Sequence, residues 1–465
     1  MLKIKVNTTV ILSVIIFITA ICTWIIPAGK YDKQLNAEGR EVLVEGSFHY
    51  IENSPQGVFE VLQAPLKSFT RSTTAEIMAF LLVIGGAFMI IEKTGAITAA
   101  IKRTSTLFMK HPALRYLYIP VSMTLFSIGG ATFGMSEEVL IFIPIFIPLS
   151  IMLKYDSLVG IAVPFLGASA GFAGAFMNPF TLAIAQKIAE LPAYSGMKLR
   201  LVIWACATLL AIIFVMLYAR KIEKNPKASL TYDFDKEKIK ELDLNKTEEE
   251  KFTIRHILVL LAFAGTMGML ILGVLKYQWD IVPIGALFLA LALVATFAGG
   301  LKISEATDAF YEGVRSMVEI VFLLALATAI IIIAENGHIL DTILHYMAGI
   351  ISHLNSLVAS WAAFLMQAVI NFFIPSGSSK AFLTMPILAP LSDLIGISRQ
   401  TMILAYQFGD GWTNVCIPTS AVVLGVIGMA KLSFQKWFKF VFPLVAAWFA
   451  MSFVFLAIAN YINWQ

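Results

Sequence analysis

The sequence predicts an all-α polytopic membrane protein built as two inverted repeats, each carrying a re-entrant helical hairpin and a discontinuous transmembrane helix. Three observations predict it. The chain has 465 residues, 58% of them hydrophobic and only 14% charged, with a mean hydropathy of +0.81; soluble domains average roughly 25% charged residues. Several segments exceed the ~18 apolar residues that read as a membrane span. Finally, Gly, Pro and Ser residues recur in order at one fixed offset along the chain.

The elements follow in order. Lys3 and Lys5 precede an apolar run from Val10 to Ile26. A cleaved signal peptide is the alternative, but the run ends in Pro27-Ala28-Gly29 without a small-x-small site. A retained span over Thr8–Ile26 is therefore expected. A polar loop ends in an amphipathic segment, Phe59–Ser72. The second span is expected over Glu76–Ile91, followed by basic residues Lys93, Lys102, Arg103 and Lys110. An apolar pair, Leu114–Gly130 and Val139–Leu153, is split at Ala131–Ser136. Leu158–Ala189 is long, apolar and interrupted at Gly171–Thr181. Leu199–Leu217 then leads into the most hydrophilic region, Arg220–Lys251.

The second half runs similarly. Spans are expected at Ile257–Val274 and Ile281–Ala298, an amphipathic segment at Ser304–Ser316 and a span at Val318–Ala334. A second apolar pair, Leu357–Ile374 and Ala381–Leu394, is split at Pro375–Lys380. A broken segment covers Thr401–Met429, and Phe440–Ile458 is the last span.

The halves read as copies. Phe80-Leu81-Leu82 matches Phe322-Leu323-Leu324, Ser136 matches Ser378, Pro144 matches Pro386, and Gly167 matches Gly409, each pair 242 residues apart. Beyond them, Pro179 pairs with Pro418 at 239, so the first copy has three extra residues. Ordered Gly, Pro and Ser pairs at one offset are a poor fit to chance, and such internal repeats are a signature of transporters. The division expected is a first repeat over 1–221, a charged cytoplasmic linker over 222–252 and a second repeat over 253–465.

Topology follows from the basic residues. With the N-terminus inside and both split pairs returning to their own side, Lys102–Lys110, Lys154, the linker, Lys302 and Lys431–Lys439 fall inside, as the positive-inside rule asks. The stretch Glu335–His353, which has no Lys or Arg, and the C-terminus fall outside. One additional span in the second half, Ile281–Ala298, inverts it. Simple paired spans are the alternative, because hydropathy alone does not separate re-entrant from spanning segments.

The four interruptions carry the chemistry. The hairpin tips are Gly129–Glu138 and Pro375–Lys380; the breaks are Gly171–Thr181 and Gly409–Ser420. All are rich in Gly, Ser, Thr, Asn and Pro, which free backbone groups that need partners inside a bilayer. Half-helix N-termini favour anionic groups, and carbonyls at C-terminal ends favour cations. The candidate solute-binding residues are Thr132, Gly134, Ser136, Glu137 and Glu138 at the first tip, and Asn178 and Thr181 at the first break. At the second tip they are Ser376, Gly377, Ser378, Ser379 and Lys380, and at the second break Asp410, Thr413, Asn414, Thr419 and Ser420. Intramembrane charges are expensive and usually functional. Ser136 as a helix cap with Glu137 and Glu138 in the first turn is a plain alternative for the acids. That account does not cover Lys380, the repeat partner of Glu138, since a cation is unfavourable in a first turn. Lys380 is expected to pair with an acid or hold a substrate carboxylate. Asp410 and the two glutamates suit an ammonium group, a sodium ion or a proton, with sodium expected near Asn178, Asp410 and Asn414.

Other residues read as structural. Cys22, Cys206 and Cys416 lie in apolar segments and pack as small side chains. His338, His345 and His353 recur at helical spacing on one face of a surface helix. Asp393 and Arg399 are interfacial, and Glu305, Asp308, Glu312 and Arg315 line a solvated face. No P-loop occurs, which disfavours ATP drive. No paired nucleophile and base or metal set appears, so an enzyme is not expected; a channel is a remote alternative.

The motifs carry a resemblance. WIIPAGKYDK (Trp24–Lys33), SPQGVFEVLQAPLKSF (Ser54–Phe69), TFGMSEE (Thr132–Glu138), MNPFT (Met177–Thr181), NFFIPSGSSKAFLTMPILAPLSD (Asn371–Asp393) and QFGDGWTNVCIPTS (Gln407–Ser420) resemble the YfcC family of basic amino acid antiporters. That family is grouped with the C4-dicarboxylate anaerobic carriers in the wider ion-transporter superfamily. The resemblance covers nearly the whole chain. It implies inverted repeats, a scaffold and a moving transport domain, and a homodimer in a bacterial cytoplasmic membrane. It also implies secondary transport of a small solute, with arginine/ornithine-type exchange first and C4-dicarboxylate transport coupled to sodium or protons second. No cofactor beyond a coupling ion and no nucleic acid is expected. The sequence departs at Ser379-Lys380, where Gly and a neutral polar residue such as Gln are expected.

Overall fold

The computed structural model describes residues 8–35, 41–44, 46–100, 103, 112–241, 252–277 and 279–465. Lys3, Lys5, Lys102, Lys110 and linker residues 242–251 lie outside them. Nine helices among the described residues are long and apolar enough to cross a membrane.

The first group of helices is α1 (Thr8–Ile25), α2 (Val58–Ser68) and α3 (Ser72–Lys93). Between α1 and α2 the chain forms two short antiparallel pairs, Gly29–Lys30 with His49–Tyr50 and Lys33–Leu35 with Glu41–Leu43. The loop expected there thus has structure of its own. Tyr31 N donates to Asp341 Oδ2 at 3.1 Å and Thr342 Oγ1 donates to Pro27 O at 2.8 Å.

Next come α4 (Pro112–Phe133), a 3₁₀ turn (Glu137–Ile141) and α5 (Ile143–Met152). The two arms run antiparallel. Near their open end, Arg115 Nε donates to Leu153 O at 2.7 Å and Tyr118 OH meets Ser150 Oγ at 2.8 Å. Ten residues of α5 span about 15 Å, half of a ~30 Å hydrocarbon core. Helix α6 (Ser157–Ala173) is followed by a π turn (Pro179–Ala183) and α7 (Ile184–Ile188), and α8 (Met197–Lys224) leaves the apolar region. Helix α9 (Tyr232–Glu241) folds back onto the start of α6, where Asp235 Oδ2 accepts from Ser157 N at 3.2 Å. Tyr218 OH and Ser229 Oγ both donate to Asp156 Oδ2, at 2.6 and 2.7 Å, while Asp156 Oδ1 caps α6 through Val159 N.

In the second half, α10 (Ile254–Tyr277) and α11 (Ile281–Gly299) precede α12 (Ile303–Asn336), a single helix of 34 residues. The amphipathic segment and the span expected separately are therefore continuous. The only glycine in this helix, Gly313, is used for packing instead: a Cβ there would sit 2.1 Å from Gly85 O. Close approach at small residues is how membrane helices associate. Helix α13 (Ile339–Ser352) places only His345 within the helix, stacked on Phe48 at 4.0 Å; His338 and His353 flank it rather than sharing its face.

Helices α14 (Ser356–Phe373) and α15 (Gly377–Leu394) form the second apolar pair. Then α16 (Arg399–Gly411), a 3₁₀ turn (Thr413–Val415) and α17 (Ala421–Met429) form the second broken helix, and α18 (Phe434–Tyr461) ends the chain. The order of elements in α14–α18 repeats that in α4–α8. Gly167 and Gly409, one of the pairs at offset 242, hold matching places: a Cβ on Gly167 would lie 2.9 Å from Met123 O, and one on Gly409 2.7 Å from Phe364 O. Each sits where a broken helix crosses the first arm of its own pair.

The break in α16–α17 is stabilised from α18. Trp437 Nε1 donates to Val415 O at 2.7 Å, and Trp412 Nε1 donates to Ser452 Oγ at 2.8 Å. Trp412 and Trp448 stack at 4.6 Å. Buried indoles supply both apolar bulk and the donor that an opened backbone needs.

Candidate functional site

The two tips and the two breaks converge. At the first tip, Gly134 takes a left-handed conformation, φ +72°, which favours glycine. A Cβ there would meet Asn178 Oδ1 at 2.7 Å. Asn178 Oδ1 accepts from Phe180 N and Thr181 N, at 2.8 and 3.2 Å, and so caps the π turn. Met177 N donates to Ala131 O at 3.0 Å, tying break to tip. At the second tip, a Cβ on Gly377 would lie 2.4 Å from Thr181 Cγ2 and 3.0 Å from Asp410 Oδ2. Each tip thus touches a break through a glycine, and the second reaches across to the other half.

Behind the second tip lies a buried polar cluster. Lys380 Nζ is 2.9 Å from Asp410 Oδ1, with both side chains at most 1% exposed. The contact is a close, buried ion pair. Lys380 Nζ donates to Asn371 Oδ1 at 3.0 Å. Asn371 Nδ2 in turn lies within hydrogen-bond distance of three acceptors for its two N–H groups, Thr413 Oγ1, Asn414 Oδ1 and Asp410 O, at 2.7, 2.8 and 3.0 Å. Tyr406 OH donates to Gly377 O at 2.5 Å. Asn178 Nδ2, Thr181 Oγ1 and the Gln367 amide are buried without a hydrogen-bond partner among the described residues.

A cavity of about 660 Å³ opens beside this cluster. Gly134, Ser136, Glu137, Glu138, Ser376, Gly377, Ser378, Ser379, Thr181, Asn414, Thr419 and Ser420 line it. Asn178, Lys380, Asp410 and Thr413 are buried outside that lining. Thr132 lies outside it too, and its hydroxyl donates to Ile128 O within α4. The opposite wall is α3 and α12, through Thr74, Ile77, Leu324 and Thr328. The cavity reaches Lys33, Arg71, Asp280 and Glu335; Arg71 and Glu335 form a bidentate pair at 2.8 and 2.9 Å. Asp393 and Glu190 pair with Arg399 at 2.8 and 2.9 Å.

Sequence reasoning missed Asn371, Tyr406, Thr74 and Thr328. Asn371 opens one of the six motifs, and its apolar flanks were the available signal. Thr74 and Thr328 carry none, because isolated threonines are common in membrane helices.

Membrane-length helices around a cavity into which the polar tips and breaks of broken helices converge define a multi-pass membrane transporter. A model of the family "C4-dicarboxylate anaerobic carrier" (DcuC) matches residues 7–461. The chain belongs to that family and, within it, to the YfcC group. It is 36% identical to the Escherichia coli protein named "Putative basic amino acid antiporter YfcC", covering 96% of this chain and 95% of that one. It is 28% identical to an uncharacterized protein of Haemophilus influenzae, over 90% of this chain and 82% of that one. Among solved structures it is similar to the Alcanivorax borkumensis YdaH transporter, at 17% identity and a TM-score of 0.42, covering 98% and 99% of the two chains. Neisseria gonorrhoeae MtrF matches at 17% identity and a TM-score of 0.43, over 98% and 95%.

Proposed function

We propose that this protein is a secondary transporter that exchanges basic amino acids across a bacterial cytoplasmic membrane. The observation that carries this reading is the charge left facing the cavity. Lys380 and Asp410 neutralise each other behind the wall and Arg71 pairs with Glu335, so that among the tip and break residues of the lining the charged ones are Glu137 and Glu138. Opposite them stands the N-terminus of α15, with Gly377, Ser378 and Ser379 in the lining. A helix N-terminus favours a carboxylate, and paired acids favour an ammonium or guanidinium group. An amino acid with a cationic side chain satisfies both. A C4-dicarboxylate would set its second carboxylate against the two glutamates. The family description supports dicarboxylates as the second reading.

The repeats are read as inverted and both apolar pairs as re-entrant; the 10-residue α5 supports this for the first pair, and the second pair is read so by its place in the repeat. The tips and breaks then move as one body against α3 and α12, in an elevator-like or rocking motion, with the working unit a homodimer. The N-terminus lies inside and the C-terminus outside, as the basic residues at one set of helix ends support. Exchange or a proton gradient supplies the energy.

Counterflow into proteoliposomes tests the reading. Vesicles loaded with arginine should take up labelled arginine or ornithine faster than empty ones. Trans-stimulation by succinate or fumarate with none by basic amino acids would refute it.

A further inference from the structure

Lys380 and Asp410 are the charges of the buried cluster, and the proposed substrate uses neither. The Lys380 ammonium lies at 0% side-chain exposure, 2.9 Å from Asp410 Oδ1 and 3.0 Å from Asn371 Oδ1. It also faces the Tyr406 ring, 5.5 Å from the centroid. A carboxylate oxygen, an amide oxygen and an aromatic face are the surroundings a small monovalent cation seeks.

We infer that the Lys380 ammonium is a tethered replacement for a coupling cation, so that this transporter works without sodium. The inference rests on the transporter reading above and specifies its coupling. Three points carry it. First, the position is built in one repeat only. At the offset of 242, Lys380, Asn371 and Asp410 correspond to Glu138, Gly129 and Ala168, a set with no second ion pair. Second, stability does not account for the pair. A buried ion pair is often matched or bettered by apolar residues of similar volume, so its place beside a tip needs another reason. Third, the pair is wired to the break. Asn371 Oδ1 accepts a hydrogen bond from Lys380 Nζ, and its amide nitrogen lies within hydrogen-bond distance of Asp410 O, Thr413 Oγ1 and Asn414 Oδ1. A cation at that point therefore sets the shape of the segment from which Asn414 faces the cavity. A lysine supplies that cation permanently, and the sodium expected near Asp410 is displaced by a covalently attached charge.

The test needs no substrate. Thermal unfolding of the purified protein is followed in NaCl, LiCl, KCl and N-methylglucamine chloride at equal ionic strength. Wild-type protein should unfold at one temperature in all four. Lys380→Ala should unfold several degrees lower in N-methylglucamine and regain the difference saturably with Na⁺, Li⁺ or n-propylammonium. Lys380→Met keeps the apolar stem and removes only the charge, and should respond to the inorganic cations in the same way. Saturable stabilisation of the wild type by Na⁺ would overturn the inference. So would a Lys380→Met protein that folds, is destabilised, and ignores every cation. Because unfolding is read without a solute, failure to transport amino acids would sink the functional reading and leave this one standing.

Discussion

Gly377→Ala probes the convergence of tip and break most directly. The added Cβ would lie 2.4 Å from Thr181 Cγ2 and 3.0 Å from Asp410 Oδ2. Carbon atoms rest at about 3.5–4.0 Å, so the tip or the π turn has to move by roughly 1 Å. Overpacking of this kind costs about 1–3 kcal/mol. The geometry also predicts its own suppressor. Thr181→Ser deletes the methyl group that is struck while keeping the hydroxyl, and should return about half of the loss; the Asp410 contact retains the remainder. The assay is the unfolding midpoint of four purified proteins, wild type, both single variants and the double. Neighbours in contact give non-additive cycles, whereas residues more than about 7–10 Å apart add. If Gly377→Ala and Thr181→Ser were additive, or if Gly377→Ala were as stable as wild type, the second tip would not rest on the first break.

Three further outcomes follow. Removing one partner of the buried pair, by Lys380→Gln or Asp410→Asn, should cost about 3–5 kcal/mol, while the double variant should cost clearly less than the sum; additivity in the unfolding assay would contradict the 2.9 Å pairing. Gly134→Ala joins a positive φ of +72° to a 2.7 Å contact with Asn178 Oδ1. It should cost about 1–3 kcal/mol and slow counterflow, and unchanged flux would count against the first tip. Trp437→Phe leaves Val415 O without its donor at 2.7 Å, a loss of about 1–3 kcal/mol, seen as a lower midpoint and faster proteolysis near residue 415; an unchanged midpoint would show the break does not need it.

Much of the fold was legible. Apolar run lengths located the long helices, because the bilayer sets that length. Glycine and proline clustered with Ser, Thr and Asn placed both tips and both breaks, because such clusters free several backbone groups at once, whereas single prolines such as Pro120 and Pro164 stay inside helices. Where local signals conflict, the sequence was less reliable. Ser304–Ser316 reads as a separate amphipathic segment, yet it joins the following span in one helix, since the glycine that would end it packs against Gly85. The strand pairs after α1 also escaped, being two or three residues long and docked on α13 through Asp341 and Thr342.

The candidate site divides along the same line. By itself the sequence determined which residues are available: two glutamates at one tip, a lysine at its repeat counterpart, and an aspartate at the second break. Offset and hydropathy suffice for that, because they depend only on order along the chain. Which charges meet was decided by tertiary structure alone. Lys380 is 30 residues from Asp410, and Thr181 is 196 from Gly377. No local pattern links residues so far apart; the packing of α15 against α7 and α16 does. That packing joins Lys380 to Asp410 behind the cavity wall and leaves Glu137 and Glu138 facing the space where a solute would lie.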